Sequence, residues 1–576
     1  MKKKALITCA AVSIALILVV LSGLSLWKRL PPPYPPDYSP RVVVIGIDGA
    51  TWHIINPMLE EGKLPNIRKL ISRGACGKLK SVEPMLSPLL WTTIATGLAP
   101  EQHGIVSFIS KRDGNVVSSY ERKAKALWNI ASERGKSCGV INWWATWPPE
   151  EINGFMVSDR LTAGEVSDGV LYSYPAELNL ELTAVARKIW KMDTADCKEY
   201  FRKYHRELPD LKYEPGWTSN PFSDKYYYNQ CIWHFMEGLR KDLCTLRVAK
   251  KVLNEKGIPD LLLIYFRGVD FLSHYLFGYT QLGGESFYPR DGSLKRIEEF
   301  ESLVPLYYEY VDKLLGEFLK QLPEDAIKIV VSDHGFWTII SKRYLLGLDR
   351  MLGKIQLADG NGNQKDTMLS IVSDISSDFF SYDRTLRIGL DGDRSTRQKR
   401  IDMVVKTLIS VVNERDEKLL EVVPSVVESE DQQEAEIKVT IRSDVLNNTK
   451  YIRLPSVETD KFAITRIFPE LRWSGNHNID GIIILQGPDI IRGKKIRRAS
   501  INDVAKTVLY LMRLPIGEDM VGKVLTQAVR KRFLRNRPIK YIPTYGPRVE
   551  QAAVIKAPRE QEEQLKKELR SLGYIE

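Results

Sequence analysis

The chain has 576 residues, 44% of them hydrophobic and 27% charged, which is the make-up of an ordinary globular protein with a large buried core. Its net charge of +11 is only mildly basic, and much of the excess sits at the N-terminus and in RKRFLRNRPIK at 530–540. That distribution suits a solvated face, or attraction to anionic lipid or substrate; no nucleic-acid-binding module is present.

In chain order, Lys2, Lys3 and Lys4 precede an uncharged apolar stretch from Ala5 to Trp27, followed by Lys28 and Arg29. About 20 such residues span a bilayer, and the small-residue cleavage pattern Gly23-Leu24-Ser25 is weak. Residues 1–29 are therefore expected to form an uncleaved signal-anchor, a transmembrane helix that leaves the rest of the chain periplasmic or extracellular. PPPYPPDYSP, within a spacer at 30–40, is stiff and extended. From residue 41, short β-branched runs alternate with helical stretches. RVVVIGID (41–48), GKLKSV (77–82), SCGVINWW (137–144), DLLLIYF (260–266), IKIVVSD (327–333) and GIIILQG (481–487) read as buried strands. NIRKLISRGA (66–75) and PLLWTTIAT (88–96) read as helices closed by glycine. The alternation predicts an α/β fold, a mostly parallel sheet with helices on both faces. Core segments are expected at 41–160, 256–339 and 471–528. Between them fall a helical insertion or cap at 161–255 and a mixed insertion at 340–470. A basic extension at 529–576 ends in a short helix, EEQLKKELRSLG, expected to pack back on the body. Cys9 lies in the apolar stretch; Cys76, Cys138, Cys197, Cys231 and Cys244 lack CxxC spacing, which argues against a cysteine zinc site or a dithiol redox motif.

Metal-type ligands stand at the ends of these runs. Asp48 ends the first, Asp270 and His274 follow LLLIYF, Asp333 and His334 end IVVSDH, and His477 precedes GIIIL. Parallel strands deliver their carboxyl ends to one edge, where α/β ligand sites form. Asp270 and His274, four residues apart, share a face if that segment is helical. Each group alone also fits a strand-ending turn, a helix-surface pair or a surface histidine. Oxygen and nitrogen ligands without thiolate suit zinc first and manganese second. Ser87, followed by Pro88, fits an N-cap, and a helix N-terminus also binds phosphate through its free N–H groups.

The stretch IGIDG…LPNIRKL…GACGKL…PMLSPLLWTTIATGLAPEQHGI resembles the type I phosphodiesterase/nucleotide pyrophosphatase family of the alkaline phosphatase superfamily. ALWNIASERGKSCGVINWW, VDFLSHYLFGY, VVSDHGF and GNHNIDGIIILQGPDI continue the likeness in the same order, and the ending LRSLGYIE looks like bacterial members. The resemblance implies an alkaline-phosphatase-like core and two divalent ions. Asp48, Ser87, Asp333 and His334 would hold one, and Asp270, His274 and His477 the other. Ser87 would be the nucleophile of a two-metal phosphoryl transfer, with a phosphoseryl intermediate cleaved by water. One departure stands out. Phe108 occupies the place of an asparagine that contacts a phosphate oxygen in nucleotide pyrophosphatases; Asn142, Arg160 and Arg267 are candidate replacements. A sulfatase is disfavoured, because its maturation pattern needs arginine where Trp91 stands. The expected function is a metal-dependent phosphodiesterase acting on a small-molecule or lipid-linked phosphate ester. A phosphomonoesterase, a lipid-headgroup phosphotransferase and a non-catalytic surface binding module are the alternatives.

Overall fold

Val42–Ile47 (β1) is buried along its whole length, as a strand covered on both faces must be. The computed structural model describes residues 40–202, 224–282, 298–338, 474–549 and 557–575 except 573, with short stretches at 285–286 and between 371 and 463. The chain divides into Met1–Pro40 and Arg41–Glu576. The expected anchor and, apart from Pro40, the spacer lie outside the described residues. Among the described residues no helix is long and apolar enough to cross a membrane.

After β1 come α1 (Trp52–Glu60), α2 (Pro65–Arg73), β2 (Gly74–Lys80), α3 (Ser87–Thr96), α4 (Leu127–Glu133), β3 (Cys138–Trp143), β4 (Gly154–Ser158) and β5 (Ser173–Tyr174). The long helix α5 (Asp224–Lys256) leads into β6 (Leu261–Phe266), α6 (Gly268–Leu276), α7 (Leu303–Leu319), β7 (Ile327–Val331) and β8 (Gly335–Thr338). The last part holds β9 (Gly475–Asn478), β10 (Asp480–Gln486), β11 (Lys494–Ser500), α8 (Asp503–Leu511) and α9 (Arg559–Ser571). Nine strands form one sheet in the order β11-β2-β10-β7-β1-β6-β3-β4-β5. It is mostly parallel: β1 pairs in parallel with both β6 and β7. β10 is the exception inside the sheet, running antiparallel to β2 and β7.

The two faces are separate apolar layers. Val43, Ile45 and Ile47 meet α1, α2, α5, α6 and α7, whereas Val42 and Val44 meet α3, α4 and α8. Strand alternation sends neighbouring side chains to opposite faces, so one short run feeds both layers. Gly46 interrupts the run because Trp91 of α3 lies over it; a Cβ there would come within 2.7 Å of the indole. Within 371–463, Asp383–Gly389, Leu420–Ser425 and Glu434–Ile441 belong to a separate antiparallel sheet, with a helix over Arg394–Ile409. Among the described residues, Cys76, Cys138, Cys197, Cys231 and Cys244 form no disulfide.

Candidate active site

The carboxyl end of β1 lies between those of β6 and β7, so Asp48 leaves the sheet at its centre. Gly49 follows at φ +68, a left-handed conformation that suits glycine. A Cβ there would also meet Phe336 at 2.9 Å and the Asp270 Cα at 3.0 Å, so glycine lets the β1 turn come close to α6. Asp48 Oδ2 accepts from the Trp91 indole N–H (3.3 Å) and from the Tyr265 hydroxyl. Its Oδ1 faces His334 Nε2 at 3.3 Å.

Asp333 and His334 follow β7 directly, with Asp333 Oδ2 3.5 Å from His334 Nε2. The His334 Nδ1–H donates to the Gly335 carbonyl (3.0 Å). A carbonyl only accepts, so that contact leaves the Nε2 lone pair facing the carboxylates. Asp270 and His274 lie one turn apart on α6, which is fully buried. His477 lies on β9, opposite Phe336 of β8, and its Nδ1–H donates to the Met85 carbonyl (2.9 Å). Its Nε2 lies 3.2 Å from both Asp270 Oδ1 and His274 Nε2. Two buried triads result, Asp48/Asp333/His334 and Asp270/His274/His477. They adjoin: Asp270 Oδ1 is 3.7 Å from His334 Nε2, and the rings of His334 and His477 stack with centroids 3.6 Å apart.

Several ligand-type atoms are buried and have no hydrogen-bond partner among the described residues: Asp48 Oδ1, both Asp333 oxygens and His334 Nε2. Burying such acceptors together is costly unless something positive serves them all. Burial and the nearby Asp48 push Asp333 well above the ordinary carboxylate range, and burial with Asp270 raises Asp48. Burial lowers His334 and His477 to about 4, which keeps both imidazoles neutral near pH 7. Asp270 is drawn well below the ordinary range: burial opposes its ionisation, but His274 and His477 outweigh it. Neutral imidazoles whose second nitrogen is tied to a backbone carbonyl are oriented as metal ligands are. The donor set therefore fits a pair of divalent cations.

Ser87 is the first residue of α3 rather than its cap; Leu86 holds the cap position and Pro88 follows inside the helix. Two residues before Ser87, the Met85 carbonyl holds His477, and one turn after it Trp91 holds Asp48. The α3 N-terminus is thus tied to both triads. Phe108 is buried and stacks on Tyr574 with centroids 4.3 Å apart. Of the candidate replacements for the missing amide, Asn142 donates to Thr245 (3.0 Å) and to the Tyr265 carbonyl (2.9 Å). Arg160 is engaged by Glu562 (2.7 Å). Arg267 lies over the Trp144 ring, 4.7 Å from its centroid. Sequence reasoning missed Tyr265 and Tyr574. The first carried a signal, a hydroxyl inside the otherwise apolar LLLIYF; the second, near the C-terminus, carried none beyond the familiar look of the ending.

The sequence profile of the type I phosphodiesterase/nucleotide pyrophosphatase family matches residues 42–453, a span that ends before His477. No curated protein sequence matches significantly. Among solved structures, murine ectonucleotide pyrophosphatase/phosphodiesterase 5, as an inactive variant in complex with AMP, aligns at 14% identity and a TM-score of 0.40, covering 86% of this chain and 99% of that one. The human ectonucleotide pyrophosphatase/phosphodiesterase 5 structure aligns with the same identity, coverage and TM-score.

Proposed function

The chain belongs to the type I phosphodiesterase/nucleotide pyrophosphatase family and is a hydrolase of phosphoric ester bonds; from that premise we propose a two-metal phosphodiesterase that works through Ser87. The observation that carries this reading is the pair of adjoining buried triads tied to the N-terminus of α3. Asp48, Asp333, His334 and Ser87 would hold one ion, and Asp270, His274 and His477 the other, with zinc first and manganese second. Bound there, the ions would supply Lewis-acid activation and offset developing negative charge. Ser87 Oγ is the attacking oxygen, and the free N–H groups at the start of α3 receive the phosphate. Attack in line with the leaving oxygen gives a phosphoserine, which water then cleaves. Phe108 removes an amide donor, so this chain's phosphate recognition differs from that of the nucleotide pyrophosphatases.

The N-terminal apolar stretch is proposed as a signal-anchor that holds the enzyme on the outer side of a membrane, facing a soluble or lipid-linked phosphate ester. Metal analysis combined with assays on an aryl phosphodiester and its monoester, for wild type and Ser87→Ala, tests the assignment. The wild type is expected to carry two ions and to prefer the diester. Ser87→Ala is expected to lose at least about a thousandfold in kcat while folding normally. Full activity in Ser87→Ala would remove the nucleophile role. A preference for the monoester would reverse the substrate class, and absence of both metal and turnover would favour a binding module.

A further inference from the structure

The C-terminal tail enters this site. Buried ion pairs hold α9 on the body, Arg160 to Glu562 at 2.7 Å and Lys241 to Glu568 at 2.8 Å. The Tyr275 hydroxyl donates to the Ser571 carbonyl (2.7 Å), and the Tyr574 N–H donates back to Leu569 (2.9 Å). The Tyr574 ring then lies on Phe108, the residue that stands where an amide donor was expected.

Tyr574 Oη lies 2.7 Å from His274 Nε2, 3.0 Å from His477 Nε2 and 3.5 Å from Asp270 Oδ1. Those three atoms are themselves 3.2, 3.2 and 3.5 Å apart. Four points whose six separations all fall between 2.7 and 3.5 Å in this way form a distorted tetrahedron and do not lie in a plane. A tetrahedral ion with ligand bonds of about 2.0–2.2 Å has ligand–ligand edges of about 3.3–3.6 Å. Four of the measured edges, 3.2 to 3.5 Å, are close to that, and the two from Tyr574 Oη to the histidines, 2.7 and 3.0 Å, are shorter. A hydroxyl brings one proton and can donate to only one acceptor at a time, and His477 Nε2 and the Asp270 carboxylate are both acceptors. A cation serves all four atoms at once.

We propose that Tyr574 is a fourth ligand of the ion held by Asp270, His274 and His477, so that the end of the chain closes the coordination of its own active site. The inference rests on the two-ion reading above. Catalytic zinc sites ordinarily leave the fourth position to water or substrate, and here a tethered phenol competes for it.

The test titrates metal-free full chain with zinc against a competing chromophoric chelator, for wild type and Tyr574→Phe, while following tyrosinate absorption in the near ultraviolet. Phenylalanine keeps the ring on Phe108. Both proteins are expected to bind two ions, with the affinity for one of them at least about tenfold weaker in Tyr574→Phe. A tyrosinate signal should accompany zinc binding in the wild type and vanish in the variant; this loss separates Tyr574 from Tyr265. Two ions bound with equal affinity in both proteins and no tyrosinate signal would overturn the Tyr574 role alone. A wild type that takes up no second ion would overturn the two-ion reading and this role together. If that substitution disturbs folding, seen as lost circular dichroism, Tyr265→Phe decides: a zinc-dependent tyrosinate signal that persists there supports Tyr574, and one that vanishes overturns its role.

Discussion

Three carboxylates, Asp48, Asp270 and Asp333, are buried within one cluster, and this sets the behaviour of the site at the residue scale. Without a cation, burial and the neighbouring Asp48 and Asp270 disfavour the charged form of Asp333, so the arrangement opposes folding unless positive charge arrives. Asp333→Asn is therefore expected to stabilise the metal-free protein, on the order of 1 kcal/mol, while removing one bound ion. Thermal unfolding with chelator present, alongside metal analysis, checks both halves. Lower stability in the metal-free variant would mean that Asp333 is needed for the fold itself. The same residues explain what was legible from sequence. Asp48, Asp270 and Asp333 each stand within a few residues of an apolar strand, and strand ends at one edge of a parallel sheet converge. His477 gave no such signal alone, because a histidine in SGNHNIDG is equally at home on a surface.

At the scale of elements, α6 is the part that must not move. Its first N–H groups lack helical partners, and Asp242 of α5 supplies one: its Oδ1 accepts from the N–H of Arg267 and of Gly268, each at 3.1 Å. Its other oxygen accepts from the Tyr307 hydroxyl of α7 (2.9 Å). A carboxylate at a helix N-terminus suits the dipole, and this one fixes the turn carrying Asp270 and His274. Burial pushes Asp242 up to about 6, against the opposing pull of those hydrogen bonds and of the Arg267 charge. With its folded value above the ordinary 3.8, its stabilising contribution is full below that value and is lost as pH rises through about 6. Asp242→Asn keeps an acceptor for the two N–H groups and cannot titrate. It should flatten the stability profile between about pH 4 and 6, where one such group contributes at most about 1.4 kcal/mol per pH unit. Urea midpoints across that range provide the measurement, and an unchanged slope would exclude Asp242 as its source.

For the whole molecule, the site depends on distant parts of the chain being brought together. Glu562 accepts from the Val116 N–H (3.0 Å) and pairs with Arg160, so the C-terminal helix is tied to residues more than 400 positions away. Arg160→Ala would leave a buried carboxylate without its charge partner, at a cost of about 3–5 kcal/mol. The loss should be local at first: amide hydrogen exchange over Arg559–Ser571 is expected to quicken while the β1 and β6 amides stay protected. Uniform loss of protection would instead make the C-terminal helix part of the cooperative core.

The sequence by itself determined the α/β class and the central apolar strands, and it singled out the six Asp and His residues that the fold gathers into two buried clusters. Strands covered on both faces must be apolar throughout, and that continuity is visible in any short window. Tertiary structure decided the rest. His477, on β9, comes before β10 rather than after it, and it reaches the carboxyl edge because β10 runs antiparallel to its neighbours in the sheet. Tyr574 reaches His274 because buried ion pairs seat α9 against the body. Strand direction and tail docking are set by contacts between residues hundreds of positions apart, and neither periodicity nor spacing along one chain encodes them.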